Sequence, residues 1–213
     1  MGRIALTVFL GYVVGSFPTA YLLVRWKSRI DIRNVGSGNV GTLNSFLVTR
    51  SWLVGGIVLV ADILKGAGAA LIAAGLANGS MLHAALAGIS ATAGHNYPVW
   101  LGFRGGRGLA PAAGAALVVY WLIVPAWLVL WTVSFAIIRS VNPANAMASG
   151  LLLFAGAVVP AEAYGYFGGG PDNGLIRWFT VALMGVILLR HRDPLKEFCT
   201  QRKRSVEEKM RAQ

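Results

Sequence analysis

APAAGAALVVYWLIVPAWLVLWTVSFAII, residues 110–138, carries no charge and is closed by Arg139. Read as one straight helix it is about 43 Å long, well over the roughly 30 Å hydrocarbon core of a bilayer. Pro125 lies near its centre, where a proline removes a helix hydrogen bond and clashes with the preceding turn. The stretch therefore divides into two short spans that cross the membrane and return. A single tilted helix is the alternative. The two readings put Arg139 on opposite faces, so the charges in the neighbouring gaps decide between them.

Those charges are segregated. Arg25, Lys27, Arg29, Arg33 and Arg50 separate the first two apolar runs, 4–24 and 52–77. Arg104 and Arg107 follow the third run, 81–94, and Arg139 follows the quoted stretch. The runs 146–167 and 175–189 come next, and a basic tail begins at about Arg190. Lys and Arg collect in cytoplasmic gaps. All four basic groups share that face only if 110–138 is a hairpin. The fold class expected is thus all-α, a polytopic membrane bundle of about seven transmembrane helices. Its N-terminus is outside, its C-terminus cytoplasmic, and the acidic gap at Asp172 outside.

Composition agrees. Of 213 residues, 56% are hydrophobic and 13% charged, and mean hydropathy is +0.62, too apolar for a soluble domain. The whole chain, 1–213, reads as one integral-membrane domain. The net charge of +11 suits an anionic substrate or lipid headgroups. No nucleic-acid motif accompanies it, so nucleic acid is not an expected partner. Cys199 stands alone, without a disulfide partner or metal-ligand spacing. The first run has no small-residue cleavage site and reads as a retained helix. Gly11 with Gly15, and Gly66 with Ala70, have the small-xxx-small spacing of close helix seams.

Three polar segments break the apolar pattern. In DIRNVGSGNVGTLNSF (31–46), Gly36, Gly38 and Gly41 free the backbone to turn, and Ser37, Asn39 and Asn44 supply polar groups. Such a loop can aim N–H groups at a phosphate, or it can simply turn and cap a helix. In GHNYPVWLGFRGGRGLAP (94–111), Gly105, Gly106 and Gly108 alternate with Arg104 and Arg107 just before a helix. Arg grips phosphate through paired N–H groups, and the helix N-terminus adds a favourable field. His95 in this segment is an acid, a base or donor, or a structural interfacial histidine. In LRHRDPLKEF (189–198), His191 stands between Arg190 and Arg192, in a site or in a membrane-edge anchor. Two basic glycine loops on one face favour an anion site.

Asp62 and Lys65 share one face inside a span, where charges pair or serve a site; a structural pair is one reading. Trp121, Trp127 and Trp131 read as a lipid-facing or interfacial stripe.

Together the segments resemble the bacterial acyl-phosphate:glycerol-3-phosphate acyltransferase family, the PlsY type. GSGNVGTLN (36–44) is similar to its GSGNPGATN, and GHNYPVWLGFRGGRGLA (94–110) to GHxxPVFxxFKGGKGVA. RHRDP (190–194) is similar to RHxxN, and ADILKG (61–66) to DxLKG. The resemblance implies an inner-membrane enzyme with its site at the cytoplasmic face. It would move an acyl group from acyl-phosphate to the 1-hydroxyl of glycerol 3-phosphate, releasing lysophosphatidic acid and phosphate. It implies no metal, no organic cofactor and, beyond membrane lipids and the two substrates, no partner; a monomer is expected.

Carried over residue by residue, Ser37, His95 and His191 are the catalytic candidates. Gly36, Gly38, Asn39, Gly41, Asn44, Arg104, Gly105, Gly106, Arg107, Gly108 and Arg190 are the phosphate-binding candidates. Arg104 and Arg107 replace family lysines. Leu47 stands where the family has arginine, with Arg50 a turn later; Pro111 replaces threonine, Asn142 and Asn145 replace serines, and Pro194 replaces asparagine. These departures also fit a relative with a changed substrate, or a non-catalytic membrane protein that binds anions or lipid.

Overall fold

The computed structural model describes residues 1–166 and 172–211. It is all-helical, with no strand among the described residues. In chain order the helices are α1 (Gly2–Ser16), α2 (Thr19–Ser28), α3 (Thr42–Thr49), α4 (Trp52–Leu76) and α5 (Met81–Asn96). They continue with α6 (Leu109–Val119), α7 (Ile123–Ile138), α8 (Val141–Val158), α9 (Ala161–Tyr166) and α10 (Asn173–Arg211). By length and composition, Gly2–Ser28, Trp52–Leu76, Val141–Val158 and Asn173–Arg202 could each cross a membrane. The apolar helices α6 and α7 are shorter, about 16 and 24 Å long. Large apolar side chains remain exposed along these helices, among them Leu64, Leu71, Val129, Ile137 and Trp178. Water would not tolerate so much apolar surface on a monomer; lipid does.

The stretch 110–138 is a hairpin. The loop before α6 and the turn after α7 meet, because Arg107 Nη1 donates to Asn142 Oδ1. The break falls at Tyr120–Leu122, several residues before Pro125. Pro125 sits in the first turn of α7, where its missing N–H has no helical acceptor to lose. Pro111 is likewise in the first turn of α6.

Three other runs are divided differently from the sequence reading. The run 4–24 breaks at Phe17–Pro18, between α1 and α2. The run 146–167 stops at Val158, ahead of Pro160, and resumes as α9; its end, and the gap before Asp172, lie outside the described residues. The last helix does not end near Arg190 but continues through Pro194 to Arg211. That proline leaves the Arg190 carbonyl without its helical donor.

Small residues set the packing. A Cβ on Gly15 would lie 1.9 Å from the Ala91 carbonyl, so α1 and α5 touch backbone to backbone. Gly11 meets Ala87 in the same register, so these two helices run parallel. Gly66 meets the Pro111 carbonyl just as closely, joining α4 to α6. Close approach of this kind holds helices together where lipid removes the hydrophobic incentive. Trp127 is half-buried, and its indole N–H donates to Ser149 Oγ at 3.0 Å and ties α7 to α8. One apolar cluster, centred on Phe179, Leu183 and Ile187 of α10, fills the space among α5, α6 and α7. A second, with Val24, Ile32, Val58 and Leu101, lies under the loops at one end of the bundle.

Candidate active site

The loop 36–41 is organised by one side chain. Asn44, in the first turn of α3 and 1% exposed, accepts from the Ser37 N–H at 3.1 Å. Its amide donates to the carbonyls of Ile32, Val35 and Asn39 at 3.0–3.3 Å. Gly36 has φ +63°, and a Cβ there would lie 2.2 Å from Asn44 Oδ1, so only glycine fits. With Asn44 turned inward, exposed Ser37 and half-buried Gly38 and Asn39 form the rim. Gly41 is the residue from which α3 starts. Beside this loop, Asp31 and Arg33 pair at 2.6 Å, and Arg33 Nη1 donates to the Leu101 carbonyl at 3.1 Å. The Arg33 hydrogen bonds lower the Asp31 pKa to about 2.

The loop 104–108 is held from outside itself. Gly106 N–H donates to the His95 carbonyl at 3.0 Å and Gly105 N–H to the Asn96 carbonyl at 3.2 Å. Arg190 reaches across from α10, its Nε donating to the Gly106 carbonyl at 3.1 Å and Nη2 to the Gly105 carbonyl at 3.3 Å. The Val40 N–H donates to the Gly105 carbonyl at 3.4 Å, so the two loops touch directly. Gly108 precedes α6.

Ser37 and Arg107 line one continuous cleft at this end of the bundle. One lobe, of about 170 Å³, adds Gly38, Asn39, Arg190 and Asp193. The other, of about 300 Å³, adds Gly36, Ser140, Asn142 and Gln201. Pro194 and Glu197 border both. Arg107 is the cation at the junction. Burial, then the nearby Arg190 charge, lowers its pKa from an ordinarily very high value. Its remaining N–H groups can take an anion.

The other predicted residues are placed unequally. His191 is fully buried on α10; its Nδ1 lies 2.8 Å from the Ile187 carbonyl and its Nε2 has no hydrogen-bond partner. His95 is also buried and lines neither lobe. Arg104 is exposed and lines neither lobe, and the same is true of Arg50. Asp193 and Glu197 border the cleft because α10 continues past Arg190. Helical spacing from Arg190, three residues to Asp193 and seven to Glu197, was the signal for both; expecting the helix to end hid it. Asn142, noted in sequence only as a departure, is the acceptor for Arg107. Among the described residues, no group of His, Cys, Asp and Glu could hold a metal.

A bundle of long apolar helices with a polar cleft at one end, lined by two arginines, two carboxylates and glycine, defines an integral membrane protein. Residues 5–201 match the family model described as glycerol-3-phosphate acyltransferase, and the chain belongs to that family. It is similar to "Glycerol-3-phosphate acyltransferase 4" of Dehalococcoides mccartyi (strain CBDB1), 38% identical over 84% of this chain and 74% of the relative. It is also similar to "Glycerol-3-phosphate acyltransferase" of Jannaschia sp. (strain CCS1), 36% identical over 89% of this chain and 86% of the relative. Among solved structures it resembles PlsY (YgiH), an integral membrane glycerol 3-phosphate acyltransferase, in its glycerol 3-phosphate form. The TM-score is 0.72, with 30% identity and 93% of each chain covered. The lysophosphatidic acid form of PlsY matches with a TM-score of 0.70.

Proposed function

We propose that this chain transfers a fatty acyl group from acyl-phosphate to the 1-hydroxyl of sn-glycerol 3-phosphate, giving lysophosphatidic acid and phosphate. The observation that carries the reading is the cleft in which Arg107 and Ser37 meet, since both substrates are phosphates. Arg107, oriented by Asn142, holds glycerol 3-phosphate, and the buried glycines 105, 106 and 108, which line neither lobe, shape the loop that presents it. The Ser37 and Asn39 side chains hold the acyl-phosphate headgroup on a loop whose own N–H groups are bonded within it. The hydroxyl oxygen bonds to the acyl carbon, the carbon–phosphate oxygen bond breaks, and the departing phosphate takes the hydroxyl proton. Phosphate is already a good leaving group, so positioning and charge stabilisation do most of the chemistry. His191, fully buried and lining neither lobe, touches no substrate in this arrangement and acts only by supporting the α10 wall of the cleft. Asn44 and Arg190 shape the two loops, and His95 acts from behind the second.

The protein works as one domain of seven spans in the inner membrane, its N-terminus outside and the cleft cytoplasmic. Cys199, exposed and unpaired on α10, reports the orientation. A membrane-impermeant maleimide should label it in inside-out vesicles and not in intact spheroplasts; the reverse would invert the topology. The transfer itself is tested by supplying palmitoyl-phosphate and glycerol 3-phosphate to the purified protein and following phosphate. Acceptor-dependent release is the expected result, and its absence from folded protein would end the assignment. Asp193 and Glu197 favour a second reading, a changed acceptor, because carboxylates at the rim oppose a dianionic phosphate. An acceptor screen that includes uncharged polyols separates the two.

A further inference from the structure

Behind the cleft lies a buried charged cluster that the proposed chemistry does not use. Asp62 and Lys65 face inward from α4, with side chains 1% and 9% exposed, and Lys65 Nζ is 2.9 Å from Asp62 Oδ1. The same carboxylate oxygen is 3.7 Å from His95 Nδ1. Neither Asp62 oxygen has a donor angled for a hydrogen bond; its contact with Lys65 is ionic and its contact with His95 is a close packing approach. Lys65 Nζ also donates to the Phe17 carbonyl at 2.8 Å, at the α1–α2 break next to Pro18.

The other face of His95 touches the cleft loop. A Cβ on Gly106 would lie 1.9 Å from His95 Nε2, so the ring lies directly against that residue. The His95 carbonyl accepts from the Gly106 N–H, and Arg190 grips the Gly106 carbonyl from the opposite side. Gly106 is thus wedged between His95 and Arg190, immediately before Arg107. The cavity where Asp62, Lys65 and His95 meet is about 10 Å³. That is no more than one water, so no phosphate enters it.

We infer that Asp62 and Lys65 are positioning residues of the transfer: they fix the His95 ring, and through it the 105–108 loop that presents Arg107. Bundle packing does not require them, since α4 already meets α6 through Gly66 and Gly114. A buried ion pair is also a poor way to gain stability, because desolvation offsets the attraction. What the pair provides is a fixed direction for one ring, and a link from that ring to the α1–α2 break. The inference rests on the cleft being the phosphate site.

The test uses the full chain in detergent, as Asp62→Asn and as the double variant Asp62→Asn with Lys65→Met. The double variant removes both charges at similar volume and leaves no unpaired cation. Amide hydrogen exchange should rise at least ten-fold across 104–108 and stay unchanged across 36–41. The KM for glycerol 3-phosphate should rise about ten-fold with kcat within about three-fold, and Asp62→Glu should recover part of the loss. A folded variant with wild-type exchange and wild-type KM overturns the inference. If neither variant folds, the pair belongs to bundle stability and the inference also falls. If the unmodified protein transfers no acyl group, the proposed activity fails by itself. The exchange pattern then decides the positioning role alone, with unchanged protection at 104–108 overturning it.

Discussion

The two glycine loops that meet in the cleft are built on opposite plans. The 36–41 loop is closed by Asn44, eight residues from Gly36, and its internal hydrogen bonds are all local in sequence. The 104–108 loop has no such residue. It is held by His95 and Asn96 from α5, by Arg190 from α10, and by Val40 from the other loop. A locally closed loop keeps its shape if the bundle shifts, whereas a loop clamped by three elements reports where those elements are. We assign the first to a constant grip on the acyl donor, and the second to a grip that requires an assembled bundle.

The sharpest way to break the comparison is at the junction of the loops. Replacing Arg107 with Ala removes the cation that both lobes share. The value of kcat/KM for glycerol 3-phosphate should fall by at least about 100-fold, the scale of losing a charge-assisted grip on a dianion. Thermal stability should change little, because Arg107 is only partly buried and Asn142 can turn to solvent. Unchanged binding of glycerol 3-phosphate in a titration would remove the second loop from the site.

The next effect should be structural. Asn44→Ala removes one acceptor and a donor group shared by three carbonyls, inside a 1% exposed position. The stability loss should be about 2–3 kcal/mol, and hydrogen exchange should rise over 36–41 alone. Arg190→Lys should do the converse. An ammonium cannot fork to the Gly105 and Gly106 carbonyls as a guanidinium does. Exchange should rise over 104–108, the KM for glycerol 3-phosphate should increase about ten-fold, and the first loop should remain protected. If either variant loosens both loops equally, the two plans are one.

The same difference explains what could be read from sequence. The first loop was legible because its glycines, Ser37 and Asn44 lie within nine residues and carry their own closure. Even so, Asn44 read as a phosphate ligand; that its amide is wholly occupied by backbone follows only from the turn's geometry. The membrane character and the 110–138 hairpin were legible too, since chain length, proline and charge all constrain them. The exact break was not, because a first-turn proline and a helix-breaking proline look alike until the helix start is known. The second loop's supports were not legible at all. Nothing in the spacing of Asp62, His95 and Arg190 says that they converge on Gly106, and that convergence is set by the close seams at Gly15 and Gly66. Arg190 read as a ligand through its match to the RHxxN motif; in the structure it lines the cleft and also donates to the loop's carbonyls, a second task that spacing alone does not show.

The smallest expected effect lies at the base of the first loop and tests how local its closure is. Asp31 and Arg33 are paired at 2.6 Å, and the Asp31 pKa is lowered from 3.8 to about 2 by hydrogen bonds from Arg33. A carboxyl whose folded pKa is depressed stabilises the fold above its unfolded pKa and loses that contribution as pH falls through the folded value. The pair's contribution should therefore be intact above about pH 4 and disappear towards pH 2. With the Asp31 side chain 20% exposed, solvent screening limits it to about 1–2 kcal/mol. In thermal melts Asp31→Asn should lower the midpoint at pH 7 and match the unmodified protein near pH 2. Because Arg33 also holds the Leu101 carbonyl, freeing it from Asp31 loosens a contact with the segment that leads into the second loop. The absence of any difference at pH 7 would mean that Asp31 acts only by accepting the Arg33 N–H, which Asn replaces. A loss confined to the first loop would show that even this shared arginine serves the locally closed side of the cleft.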